Sequence, residues 1–423
     1  HLGLRSGHWL DHGGGQHGRA CGPIQARVPS CSRPFGALNA TAVLPVKSGT
    51  SSGRAWLLDV LKAMGCVLIV LHHLAFYGPM SDVMMQVFPG LIEWLYDRAR
   101  LAVQMFLVCG GFLTAISLSK LQSLNVSDGL TLLWRRYLRL VMPLLAALSL
   151  VVVVSEIIRP QFDHASLSAL PTWGQAWGHV ALSQHLLNME ALSAGVWYAA
   201  MDFQLYATAL LVFALAQRLS AWRPDLPPVY WRQRIWLLLV AGSLWWWSGD
   251  DSLEDYAVYF YGAYGLGWLA YKSRELGFSR KTWLLLLVLA AVALWLDPRW
   301  RLMTALVVAT LLAWAPASWL AAPYRGARWQ RGVQWLSRIS YSVFVIHFSV
   351  SLVVNAVVTR FWPEQLWPNG LGMLASLGLS LCAGAVLYKW VEQPQASLKR
   401  WLAWVAVFMA SVALAVKING LAG

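Results

Sequence analysis

An imidazole can take a proton from a hydroxyl, and a guanidinium or an ammonium can hold a phosphate. Here both kinds of group lie within stretches apolar enough to sit in a bilayer. Ionisable side chains are costly there and mark candidate functional sites. The first such stretch, near residues 57–77, carries Asp59, Lys62, His72 and His73. Lys62 and His73 are eleven residues apart. At about 100° per residue their directions agree to within about 20°, so both project from one helix face, about 16 Å apart along the axis. That is the reach of an extended pantetheine arm: a cation near the start of the helix holds a phosphate while an imidazole reacts deeper in. His72 points about 100° away and suits packing or hydrogen bonding. Asp59 is about 21 Å from His73, too far to orient it, but it can pair with Lys62 at i, i+3. For His73 two readings stand, a reacting base and a core histidine satisfied by its neighbours.

A second constellation is Trp134-Arg-Arg-Tyr-Leu-Arg139, followed by Pro143. Arg136 and Arg139 are spaced to converge on one anion, and Arg forks suit phosphate. The same cluster also serves simply as a topology anchor. Asp202 and His347 lie in later apolar stretches, and His347 reads either as a partner in chemistry or as a structural histidine. Glu392 follows Lys389 by three residues, so a local ion pair is its plain reading. Of the five Cys, Cys21 and Cys31 lack partners at zinc spacing, and Cys66, Cys109 and Cys382 read as small core residues of apolar helices. No metal site is expected.

The elements that must position these groups follow from composition. Of 423 residues, 58% are hydrophobic and 12% charged, with mean hydropathy +0.52. A soluble domain carries about 25% charged residues, so a soluble enzyme and a disordered chain are both excluded. The expected fold class is all-α, a polytopic membrane protein with about 10–11 transmembrane helices. Eleven helices are predicted, near residues 57–77, 100–119, 138–157, 195–216, 235–249, 255–271, 281–296, 300–320, 336–359, 370–391 and 400–418. The 26 Trp suit membrane interfaces. The net charge of +14 comes from basic residues in short connections, which points to orientation in a membrane and against a nucleic-acid partner. With the N-terminus placed in the cytoplasm and the helices alternating, 19 Lys and Arg fall in cytoplasmic connections against 7 outside. The acidic run from Asp250 to Asp255 falls outside as well. Residues 1–50, rich in Gly, Arg, Ser and His and opening on His1, are expected to be a disordered cytoplasmic tail or a misassigned start. The connection from about 158 to 194 holds Trp173, Trp177, His179 and His185, and reads as a solvated loop with interface anchors or as a lid.

Taken in order, these segments resemble the acyltransferase 3 family of integral membrane O-acyltransferases. The run from Asp59 to His73 is similar to the family's first-helix motif, a basic residue, ten intervening residues and a histidine regarded as catalytic; His73 falls at that position. Arg136-Tyr-Leu-Arg139 matches its RxxR motif. Phe106-Leu-Val-Cys-Gly-Gly-Phe112 resembles its second-helix segment, and Trp197 to Tyr206 its "WtLsvEeqfY" segment. Ile339 to His347, with Tyr341, resembles "iSYslYliH", and Tyr388 to Pro394, with Glu392, resembles the closing "yrfvErP". Departures are Lys62 for Arg, Gly110 for Ser, Gln104 where Asp is common, and Asp202 for Glu, whose shorter reach requires a closer partner.

The resemblance implies an acyltransferase-3-like bundle over residues 51–396, followed by one extra transmembrane helix within 397–423 and no fused SGNH domain. It implies a bacterial inner-membrane enzyme that moves an acyl group, acetyl first among candidates, from acetyl-CoA or another acyl-CoA to a hydroxyl of a cell-envelope glycan or lipid-linked sugar. No permanently bound cofactor is implied. His73 then acts as general base or first accepts the acyl group, with His347 as second candidate; Lys62, Arg136 and Arg139 hold the CoA. Asp59, Asp202, Trp197, Tyr341 and Glu392 are supporting candidates. A transporter or flippase for an anionic metabolite or lipid-linked sugar is the alternative that the charged helices also fit.

Overall fold

The computed structural model describes residues 56–162, 164, 166–274, 280–296, 298–320 and 327–420. The tail at 1–50 lies outside the described residues. Each of the eleven expected stretches is helical: α1 (Trp56–Phe76), α2 (Ala102–Leu118), α3 (Val126–Ile158), α4 (Trp197–Trp222), α5 (Pro228–Trp245), α6 (Ala257–Arg274), α7 (Arg280–Leu296), α8 (Trp300–Trp314), α9 (Arg328–Phe361), α10 (Leu366–Leu387) and α11 (Leu398–Gly420). There is no strand among the described residues. The protein is an all-helical, polytopic membrane protein. Among the described residues, seven segments are long and apolar enough to cross a bilayer, those built on α1, α2, α3, α4, α9, α10 and α11. The remaining four helices have 15 to 18 residues.

Three helices start seven or more residues ahead of their expected positions, α5 among them at Pro228. α3 begins at Val126, where the Asn125 side chain accepts the Asp128 backbone N–H at 2.8 Å and caps the helix. The polar turns ahead of the apolar run are helical too, so Arg136 joins Arg139 inside α3 rather than preceding it. α9 likewise starts at Arg328, eight residues ahead of the expected position.

α1 packs between α2 and α9; α9 also meets α3 and α10, while α11 lies along α3. On the far side, α6 contacts α2, α5 and α8. The α2–α6 contact is backbone to backbone. A Cβ on Gly111 would lie 1.9 Å from the Tyr264 carbonyl oxygen, and one on Gly267 would lie 1.9 Å from that of Val108. Neither carbonyl can yield without moving its helix. Gly111→Ala is therefore expected to destabilise the protein by on the order of 3 kcal/mol, read as a lowered melting midpoint in detergent. Gly332→Ala, at a helix position with open space around it, is expected to lower nothing.

Large apolar side chains remain on the outside, among them Trp295 (82% exposed) and Trp367 (78%). In water this surface would be an association hazard; in lipid it is solvated. Cys382 is on that outer surface, which corrects its reading as a core residue. An apolar helix at the edge of a bundle has a lipid-facing side that sequence periodicity does not distinguish from a buried one. Cys66 and Cys109 are buried as expected.

The long connection is folded. Its helix Trp173–Val180 has a capping box between Thr172 and Gln175. Tyr137 donates to the Val180 carbonyl at 2.6 Å and ties the segment to α3. His179 donates from Nδ1 to the Gln175 carbonyl at 2.7 Å, and its Nε2 accepts the Leu192 N–H at 3.2 Å. Burial pushes its pKa down to about 4, so it is a neutral structural bridge near pH 7. Trp173 and Trp177 project outward.

Candidate active site

The helical period of α1 places Lys62 toward one end of the bundle and His73 toward the other, and each end gathers a cluster. At the His73 end, His73 Nδ1 lies 2.7 Å from His347 Nε2, a contact between α1 and α9. His347 Nδ1 lies 2.7 Å from the Phe344 carbonyl oxygen. That oxygen can only accept, so His347 carries its proton on Nδ1. With both rings neutral, His347 Nε2 then accepts from His73 Nδ1–H, and His73 Nε2 is left with a bare lone pair. The two ring planes lie 3° apart. His72 makes a hydrogen bond as expected, donating to the Leu95 carbonyl at 3.2 Å, and it also lines the cavity next to His73.

His73 lines a cavity of about 140 Å³ together with Ile69, Phe344, Gln104, Gly195 and Trp197. Gly195, just before α4, has φ +78°, a conformation that L residues rarely adopt. A Cβ there would press to 3.0 Å on Phe344 and 3.4 Å on His73, so this glycine lets the chain close against the imidazole. Trp197 stacks on Phe260 with ring centres 5.5 Å apart. Gln104 is buried in an apolar helix with its amide in the same cavity.

At the other end, Arg136 forms a two-pronged ion pair with Asp202. Nε donates to Oδ2 at 3.0 Å and Nη2 to Oδ1 at 2.7 Å. Asp202 is the closer partner that its short side chain requires, and the pair leaves Nη1 of Arg136 as the donor still unused. Asp59 accepts from Ser337 at 2.6 Å, and Glu392 accepts from Ser342 at 2.6 Å. The charges of Asp59, Arg139 and Glu392 surround Lys62. Arg139 forms no hydrogen bond or ion pair with a described residue, and its side chain is exposed. Pro143 removes the N–H that would otherwise take the Arg139 carbonyl. One residue along, the Leu140 carbonyl accepts from Tyr341 at 2.7 Å.

Glu392 does not pair with Lys389. The chain from Tyr388 to Glu392 is a π-turn. Such a turn changes the angular spacing, so i and i+3 no longer share a face. Glu392 points inward and the Lys389 ammonium lies 5.8 Å from the Trp390 ring.

Between the clusters stands an aromatic trio. Phe106 is 6.0 Å from Tyr198 and 6.5 Å from Phe344, centre to centre, and Tyr198 is 5.4 Å from Phe344. Phe344 faces the His73 cavity, while Tyr198 feels the Asp202 and Arg136 charges. Lys62, Arg136 and Arg139 do not line the cavity.

The site thus consists of a base held by a second ring in a small cavity and, in a separate cluster, an exposed guanidinium that forms no hydrogen bond or ion pair with a described residue. The sequence model of the acyltransferase-3 family, described as an acyltransferase domain, matches residues 56–419. The chain belongs to this family. The match spans α1 through α11, so the acyltransferase is a membrane protein through most of its length. Comparison with curated proteins and with solved structures found no match.

Sequence reasoning named His73, His347, Lys62, Arg136, Arg139, Asp59, Asp202, Trp197, Tyr341 and Glu392. The structure brings His73, His347 and Trp197 to one end and the other seven to the opposite end. It adds Gly195, Gln104 and three residues from connections and helix ends, Arg100, Glu254 and Arg301, to the cavity of the acyltransferase. Only Gln104 carried a sequence signal, an amide within an apolar run.

Proposed function

We propose that this acyltransferase moves an acyl group, acetyl first among candidates, from cytosolic acyl-CoA to a hydroxyl of a cell-envelope carbohydrate. The observation that carries this reading is the His73–His347 pair, which leaves an unprotonated Nε2 in a cavity that an acceptor can enter. The bias of basic residues toward alternate connections supports a cytoplasmic N-terminus, which sets the Lys62 end inside and the His73 end outside in this reading of a bacterial inner-membrane enzyme.

Arg139, Lys62 and Nη1 of Arg136 hold the CoA phosphates. The pantetheine arm lies along the shared face of α1 and displaces the aromatic trio. His73 Nε2 then takes the acceptor hydroxyl proton as the oxygen attacks the thioester carbonyl. The C–O bond forms, the C–S bond breaks, and the proton passes to the departing CoA thiolate. His347 keeps the ring of His73 oriented, and Asp202 holds Arg136 in place.

Purified protein given labelled acetyl-CoA and envelope glycan tests this. Label on the glycan with acceptor-dependent release of CoA supports the reading; label or CoA release without acceptor dependence, or neither, overturns it. Within the same assay, Arg139→Gln is expected to raise KM for acetyl-CoA about 10- to 100-fold, the worth of a charged hydrogen bond. The same variant is expected to leave KM unchanged for acetyl-pantetheine, which carries no phosphate. Equal losses with both donors would remove Arg139 from the phosphate site.

A further inference from the structure

The rim of the His73 cavity is charged, and its charges do not cancel. Arg301 donates to Glu254 at 2.7 Å and to the Tyr259 hydroxyl at 2.8 Å, so this guanidinium is matched by its own carboxylate. Arg100, on the short turn before α2, also lines the cavity, and no described residue forms a hydrogen bond or ion pair with it. Asp97 sits one turn earlier and makes no ion pair with it. The cavity therefore presents one uncompensated positive charge at its mouth and a neutral base at its floor. Its wall is the stacked pair Trp197 and Phe260, a flat apolar surface suited to the C–H face of a sugar ring.

We propose that the cavity takes an acceptor sugar bearing an anionic group, a carboxylate on the ring or a phosphate at its linkage, with that group on Arg100 and a hydroxyl at His73 Nε2. This rests on the acyltransferase reading above for the reaction, but not for the binding. An exposed guanidinium at the cavity mouth pairs with either anion, and the two sources differ in geometry and charge. Arg301, held by Glu254, fixes the shape of the mouth without adding net charge.

The test uses the detergent-purified full chain and three probes: methyl glucoside, methyl glucuronoside and glucose 1-phosphate. Binding is read as saturable thermal stabilisation, and transfer as kcat/KM with acetyl-CoA. One or both acidic probes are expected to bind about tenfold or more tightly than methyl glucoside. Arg100→Gln collapses that ratio toward one, and Arg100→Lys restores part of it. Arg98→Gln removes the same net charge from a residue that packs on Trp300, outside the cavity, and leaves the ratio intact. Preference for glucuronoside alone places the anion on the ring; preference for the phosphate alone places it at the linkage. Equal binding of all three probes, or a ratio that survives Arg100→Gln, overturns the proposal. Acidic preference in binding with no transfer to any probe would leave the anion site standing and count against the acyltransferase reading instead.

Discussion

His73→Ala is expected to lower acyl transfer by about 10²–10⁴-fold, the usual worth of a positioned general base. The loss should fall on kcat, because the phosphate site proposed above lies in the other cluster, away from the imidazole. His347→Ala is expected to cost less. It leaves the His73 lone pair in existence but removes the acceptor that fixes its Nδ1–H, so the ring loses its tautomer and its aim. His347→Gln keeps an acceptor oxygen in reach and should retain more activity than His347→Ala. A merely structural pair of histidines gives a different pattern: both alanine variants would lower the melting midpoint together, and the glutamine variant would rescue stability but not separate kcat from KM. Full activity in a folded His73→Ala protein would remove the base assignment outright.

Much of the scaffold was legible because helical periodicity is local. The register that puts Lys62 and His73 on one face needs only α1. Each of the eleven apolar stretches is a helix, with starts displaced where further turns extend α3, α5 and α9. What the sequence could not display is pairing at a distance. His73 and His347 are 274 residues apart, and nothing in either segment names the other. Arg136 reads as an anion fork from spacing alone, yet two of its donors are committed to Asp202, 66 residues away. Glu392 reads as a partner of Lys389 until the π-turn redirects it. The charged rim comes from chain connections and helix ends, whose placement depends on the packed bundle and not on any repeat.

The Arg136–Asp202 pair carries the other large expected effect. Asp202 is 5% exposed while Arg136 keeps 27% of its side chain open. Removing the guanidinium leaves a buried carboxylate without its partner, and Arg136→Leu is expected to cost about 3–5 kcal/mol of stability. Asp202→Asn is expected to cost less, because the remaining cation is partly open to solvent and the amide oxygen still accepts from it. The double variant Arg136→Leu with Asp202→Leu should recover most of the stability, since replacing a buried ion pair by apolar groups of similar volume is often close to neutral. Stability and activity then come apart. If the pair serves only to join α3 to α4, the double variant recovers transfer along with its melting midpoint. If Asp202 holds Arg136 so that Nη1 reaches the donor, the double variant melts like the parent but keeps a raised KM for acetyl-CoA, with no such rise for acetyl-pantetheine. The second outcome is expected. The free Nη1 lies on a helix that also presents Arg139 without a partner, and a carboxylate that binds Nε and Nη2 together fixes the plane of the guanidinium, a constraint that a mere contact between helices does not require.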